Sequence, residues 1–137
     1  MTRNFVEVGK GMDTADRSVA TAIDVARRLG YSWVVMDETP CYYVYRIMVP
    51  MINEAAFALF EGLASAEDID TAMKLGMNHP LGPLEWADRV GVDVVLNVMD
   101  TLMREFGDPR YRPCIRIKQM VRAGHLGVKT GRGFYRY

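Results

Sequence analysis

The feature that most constrains this chain is the change of texture at Thr39-Pro40. Before it, apolar residues alternate with polar ones in short runs. After it, they recur at helical spacing almost to the end, interrupted only by glycine and proline. Phe5-Val6-Glu7-Val8 is a β-prone run that ends at Gly9 and Gly11. Asp13 or Thr14 can cap a following helix, in which Val19, Ala20, Ile23, Ala26 and Leu29 share one face and which Gly30 closes. Ser32 to Met36 reads as a second strand. Residues 5–37 therefore form a strand–helix–strand unit. Two short strands make a poor sheet by themselves, and their edges invite a further strand, a covering helix or a second copy.

The remainder reads as helix after helix. Residues 41–61 carry an apolar-dominated run with Ile47, Met51, Ala55 and Leu59 on one side, and Pro50 inside it predicts a kink or a break. Gly62 ends it. Ser65-Ala66-Glu67-Asp68 has the form of a capping box, opening a helix that runs to Leu75 and stops at Gly76. Asn78 to Pro83 is a rigid turn. Pro83 starts a helix through Arg89, because proline at the first helical position sacrifices no bond. Residues 92–106 read as an amphipathic helix, 107–113 as a loop, and Pro113 to Ala123 as a last helix. The glycines from Gly124 onward predict an ordered loop or short strand.

Composition narrows the function classes. Seventeen basic residues balance seventeen acidic ones, so the formal net charge is zero. Nucleic acids and anionic membranes select a basic surplus, and neither is expected as a partner. No apolar run reaches the length of a membrane span, and Met1 to Glu7 lacks the apolar core of a signal peptide, so the expected location is the cytoplasm. Cys41 and Cys114 stand far apart, in no metal-ligand spacing, and read as two reduced thiols. No metal ligand set is visible.

Individual residues offer little chemistry by themselves. His79 and His125 have no Cys, Asp or Glu at ligand spacing and read as turn anchors. Glu67, Asp68 and Asp70 read as an acidic cluster at a helix N-terminus, favoured by the dipole. Arg110, Arg112, Arg116, Lys118 and Arg122 read as a solvated basic face. The stretch Gly127-Val128-Lys129-Thr130-Gly131-Arg132-Gly133 lacks the Gly-Lys-Ser/Thr order of a phosphate loop and has no helix after it. Nowhere does a G-x-G-x-x-G follow a strand.

Six segments in order carry a more specific signal. They are Asn53-Glu54-Ala55, the run Ala66 to Gly76, the run His79 to Glu85, Asp88-x-x-Gly91-x-Asp93, the run Phe106 to Pro113, and Gly127-x-Lys129-Thr130-Gly131-x-Gly133-Phe134-Tyr135. Together they resemble the C-terminal domain of the 3-hydroxyacyl-CoA dehydrogenase family. Upstream, Phe5-Val6-Glu7-Val8, the helix and Asp37-x-Thr39-Pro40 look like the last strand–helix–strand of that family's NAD-binding domain.

The resemblance implies a mainly α fold. Residues 1–38 would be a remnant of the nucleotide-binding domain, and 39–137 a helical dimerisation and substrate domain. It implies hydride transfer between C3 of an acyl-CoA and NAD, with a histidine as general acid/base and a glutamate orienting it. Glu7 stands where the family places that glutamate. The histidine belongs about a dozen residues upstream, beyond Met1. NAD is thus a cofactor of the full-length enzyme, and none is expected on this chain alone, which should be inactive by itself. The implied partners are a second copy bound through the helical domain, a separate nucleotide-binding half, and an acyl-CoA.

One stretch departs from the family pattern. Where the family has Pro-Gly-Phe-x-x-Asn-Arg, this chain has Pro40-Cys41-Tyr42-Tyr43-Val44-Tyr45-Arg46. Tyr45 replaces the substrate-facing asparagine, and Cys41 the glycine. These changes keep open an alternative reading as a redox-inactive homodimeric acyl-CoA-binding or scaffold module.

Overall fold

The computed structural model describes residues 4–137. They divide into two compact units, one ending at Tyr43 and the other running from Val44 to Tyr137.

The first unit is a β–α–β motif: strand β1 (Phe5–Lys10), helix α1 (Asp16–Arg28) and strand β2 (Ser32–Asp37). The two strands pair with each other, in parallel, with Phe5 opposite Ser32 and Lys10 opposite Asp37. A parallel pair needs a crossover of this length, and α1 provides it. Ala26 and Met36 are buried in this unit, whereas Val34 and Val35 of β2, Val25 of α1 and Leu29 just after it remain exposed. The expected caps of α1 are not its caps. Ala15 occupies the N-cap with no side-chain bond to the helix. The Thr14 hydroxyl instead accepts the Gly11 amide at 3.0 Å, closing the turn that leaves β1.

The second unit is helical. Helix α2 (Tyr42–Phe60), whose first two residues close the first unit, is followed by α3 (Ala66–Gly76), α4 (Pro83–Val90), α5 (Val92–Phe106) and α6 (Ile115–Arg122). Short 3₁₀ turns at Pro109–Tyr111 and Val128–Thr130 complete it. α2 runs through Pro50 without a break; flanking buried residues Val49 and Ile52 anchor the helix on both sides of the missing N–H. Ser65 caps α3 as the sequence indicates, its hydroxyl accepting the Asp68 amide at 3.1 Å. α6 is shorter at both ends than the spacing suggests, starting after Cys114 and stopping before Ala123.

Val49, Ile52, Leu84, Val95, Leu102 and Ile117 are fully buried and form the core of α2, α4, α5 and α6. One polar side chain sits among them. Asn53 is 3% exposed. Its amide donates to the Arg112 carbonyl at 3.0 Å and its oxygen accepts the Cys114 amide at 2.8 Å. The side chain thus satisfies the backbone that leads into α6 and pins it to α2. Asn53→Ala leaves the buried Cys114 amide and the part-buried Arg112 carbonyl unpaired, and should lower unfolding free energy by about 2 kcal/mol in urea denaturation. An unchanged midpoint would refute this assignment.

Candidate functional site

Two places in the structure gather polar side chains. The first lies in the strand–helix–strand unit. Glu7 projects from β1, and its Oε1 accepts the main-chain N–H of Tyr43 at 2.8 Å, in the first turn of α2. A carboxylate facing helix N-terminal amides is favourably placed, since those donors have no partner within the helix. Tyr45 stands in the same first turn, with its side chain partly exposed at 38%. Glu7 belongs to the first unit and Tyr45 to the second.

The residues after β1 do not suit a dinucleotide. Gly9 and Gly11 supply two glycines of a G-x-G-x-x-G loop, but Thr14 stands where the third belongs. The Tyr42 ring also lies against Gly9, where a dinucleotide's phosphates would need bare backbone.

The second place lies in the helical unit and joins three of the motif segments. Asp70, 2% exposed, is not a member of a solvated N-terminal cluster. It lies one turn inside α3, and its two oxygens accept the Leu84 and Glu85 amides, each at 2.8 Å. Those are the first free amides of α4, because Pro83 has none. Asp70 therefore caps α4 from a neighbouring helix. The Tyr135 hydroxyl donates to the same carboxylate at 2.7 Å.

Asp88, 1% exposed, does the corresponding work for the C-terminal tail. It accepts the Phe134 and Tyr135 amides at 2.9 Å and the Tyr137 hydroxyl at 3.2 Å. The glycines of the motifs make room for these carboxylates. A Cβ at Gly82 would run into the Asp70 side chain and one at Gly133 into that of Asp88, whereas one at Gly127 would meet the Asp88 main chain.

The glycine-rich tail is committed in the same way. Lys129 pairs with Asp93, and the Thr130 hydroxyl accepts the Leu126 amide at 3.0 Å. Neither is left to hold a phosphate. The basic residues are equally dispersed: Arg110 pairs with Asp108, and Arg112 lies over the Phe57 ring. The cleft beside them, about 300 Å³, also carries Glu54 and Glu61, so it offers both signs of charge. Among the described residues no group of three or more His, Cys, Asp or Glu is arranged to hold a metal ion. Nor is any helix long and apolar enough to cross a membrane.

Asp88 carries no obvious sequence signal of its role, since its partners lie 46 or more residues away. A trace is present, however. Leu84, Ala87 and Asp88 fall on the one face of α4 that is buried, and an acid on an apolar face needs donors from elsewhere.

Residues 42–137 match the family model of the 3-hydroxyacyl-CoA dehydrogenase C-terminal domain, and the chain belongs to that family. It is 46% identical over 133 residues to 3-hydroxybutyryl-CoA dehydrogenase of Clostridioides difficile, a match covering 97% of this chain and 47% of that protein. The human mitochondrial hydroxyacyl-coenzyme A dehydrogenase is 38% identical over 134 residues, covering 97% and 43%. The crystal structure of (S)-3-hydroxybutyryl-CoA dehydrogenase from Ralstonia eutropha superposes with a TM-score of 0.95 at 48% identity, over 98% of this chain and 47% of that one. The chain thus spans about half the length of the curated relatives it matches.

Burial outweighs the hydrogen bonds to Asp88, so its carboxyl titrates above the ordinary 3.8. Burial, reinforced by the Asp88 charge, pushes the Tyr137 hydroxyl up to about 12. The native state therefore holds the Asp88 proton more tightly than the unfolded chain does. The stability this linkage contributes is complete below 3.8 and is lost as pH rises through the raised value. Asp88→Asn should flatten that part of the pH–stability curve. Asp88→Ala, which strands two part-buried amides, should cost about 2 kcal/mol at neutral pH. Urea titrations across acid pH test both; a parent-like slope in the asparagine variant would contradict the assignment.

Proposed function

We propose that this chain is the C-terminal part of an NAD-dependent 3-hydroxyacyl-CoA dehydrogenase, supplying dimerisation and the acyl-CoA side of the site. The observation that carries this reading is the match to the Ralstonia eutropha enzyme over 98% of the chain, because it takes in the strand bearing Glu7 as well as the helical body. Residues 1–38 then belong to the nucleotide-binding domain and 39–137 to the helical domain. NAD, held by the other half of such an enzyme, takes up or gives the hydride. The role assigned to this chain is to hold the acid/base partner and the substrate. Glu7 presents a carboxylate that fixes the orientation of an imidazole supplied from outside the chain and stabilises it when protonated. Tyr45 presents a hydroxyl, on a ring much larger than an amide, toward the acyl group. The chain by itself is expected to be inactive, and the reading agrees with a cytoplasmic location and with no nucleic-acid or membrane partner.

NADH consumption with acetoacetyl-CoA, measured for the chain alone and for the chain mixed with a separately expressed nucleotide-binding half, tests this. Turnover is expected only in the mixture, and Tyr45→Asn should raise its kcat/KM for this short substrate about tenfold. Turnover by the chain alone would overturn the reading. A mixture that is inactive although the two halves bind each other would favour the alternative acyl-CoA-binding or scaffold role.

The same reading makes the protein a homodimer. Met51, Ala55 and Ala58 of α2, Leu63, and Ile69 and Met73 of α3 line an open, almost wholly apolar groove of about 520 Å³. Ile47, Leu63 and Leu75 are 71%, 79% and 82% exposed. Apolar surface of this kind fits a second copy. Ala58→Glu, which places a charge in the groove on a helix that tolerates it, should weaken self-association about a hundredfold in sedimentation equilibrium. A monomeric parent chain, or a dimer indifferent to the substitution, would refute it.

A further inference from the structure

We infer that the first turn of α2 is a positioning element for Glu7, built from the Tyr43 main-chain amide and from the Tyr42 ring seated on Gly9. This deepens the dehydrogenase reading and rests on it for the chemistry that the carboxylate serves.

The geometry starts in the backbone. Cys41 and Tyr42 both have left-handed conformations, with φ of 64° and 52°. Neither is glycine, so each is held there against its steric preference. Two such residues in succession reverse the chain sharply after the turn in which the Tyr42 amide donates to the Thr39 carbonyl at 3.2 Å. The reversal delivers the next amide, that of Tyr43, to Glu7 Oε1 at 2.8 Å.

The turn is also seated from below. Gly9 follows Glu7 by two positions on β1 and so lies on the same face of the strand. A Cβ at Gly9 would come within 2.5 Å of Tyr42 Cε1. The ring therefore rests directly on the strand, and only glycine permits that approach. Glu7 and Gly9 thus meet consecutive residues of one turn: the carboxylate meets an amide, and the bare backbone meets an aromatic ring.

This arrangement has a consequence for Glu7. A glutamate on a strand has three rotatable bonds, and a carboxylate that wanders cannot hold an imidazole to one orientation. A charge-assisted bond from a main-chain amide fixes the carboxylate. Tyr42 and Tyr43 are positioning residues in this sense and do not themselves touch reacting atoms.

The test uses the full chain. In the native protein the Tyr43 amide should exchange with solvent slowly, and in Glu7→Ala about tenfold faster, whereas Glu7→Gln, which keeps an acceptor, should lie between the two. Gly9→Ala should speed exchange at Tyr43 as Glu7→Ala does, because the displaced ring carries the turn with it. In the mixture with a nucleotide-binding half, Gly9→Ala should lower kcat about tenfold at unchanged KM. Equal exchange at Tyr43 in the native chain and Glu7→Ala would overturn the inference. So would a Gly9→Ala variant with fast exchange at Tyr43 and native kcat. If the native mixture has no turnover while Tyr43 protection still depends on Glu7, the dehydrogenase reading fails and the clamp stands.

Discussion

Two carboxylates taken almost wholly out of water organise the helical unit. A buried aspartate is costly unless donors replace its lost hydration. Asp70 finds them in the amides that open α4 and in the Tyr135 hydroxyl. Asp88 finds them in the Phe134 and Tyr135 amides and the Tyr137 hydroxyl. Tyr135 links the two sets, its amide serving one carboxylate and its hydroxyl the other. α3, α4 and the C-terminal tail are consequently fixed by one polar network. The glycines at 82 and 133 follow from it, because each leaves the space that a carboxylate fills, while Gly127 lets the tail pass against the Asp88 main chain.

This network changes what the shared motifs mean. Asp88-x-x-Gly91-x-Asp93 and the closing Gly127-x-Lys129-Thr130-Gly131-x-Gly133-Phe134-Tyr135 contain acids, a lysine and a glycine-rich run that could pass for chemistry. The structure uses every one of them for assembly: Asp88 for the tail, and Asp93 for Lys129. The features that identify the family most specifically are therefore mainly joints of its scaffold. Glu7, to which a role is proposed, instead meets the Tyr43 amide, in the stretch where the chain departs from the family pattern.

Those departures have physical content. The family's glycine would accept the left-handed backbone that Cys41 adopts at φ 64°, and Tyr42 continues it at 52°. Non-glycine residues in this region persist where their surroundings over-determine them. Here the Tyr42 ring on Gly9 and the Tyr43 amide on Glu7 provide that constraint. The parallel pair β1–β2, by contrast, leaves Val34 and Val35 partly in solvent. A two-strand sheet with exposed valines is poorly stabilised alone, in keeping with a chain that spans about half of its relatives' length.

What the sequence determined by itself was local. The capping box at Ser65, the proline opening α4 and the glycine stops after α2 and α5 all depend on residues within a turn or two of each other. The order of six short segments sufficed for the family. The sequence misled where local rules compete with packing. Of the kink or break expected at Pro50, the break is absent, α2 being continuous from Tyr42 to Phe60, and Ala15 rather than Asp13 or Thr14 caps α1. Only the tertiary structure decided what Asn53, Asp70 and Asp88 do, and which amide holds Glu7. Their donors and acceptors lie 14 to 65 residues away in the chain, and hydrogen bonds at such separations leave no periodicity to read. They exist only once the helices have packed and the cost of burying each polar group has selected its partner.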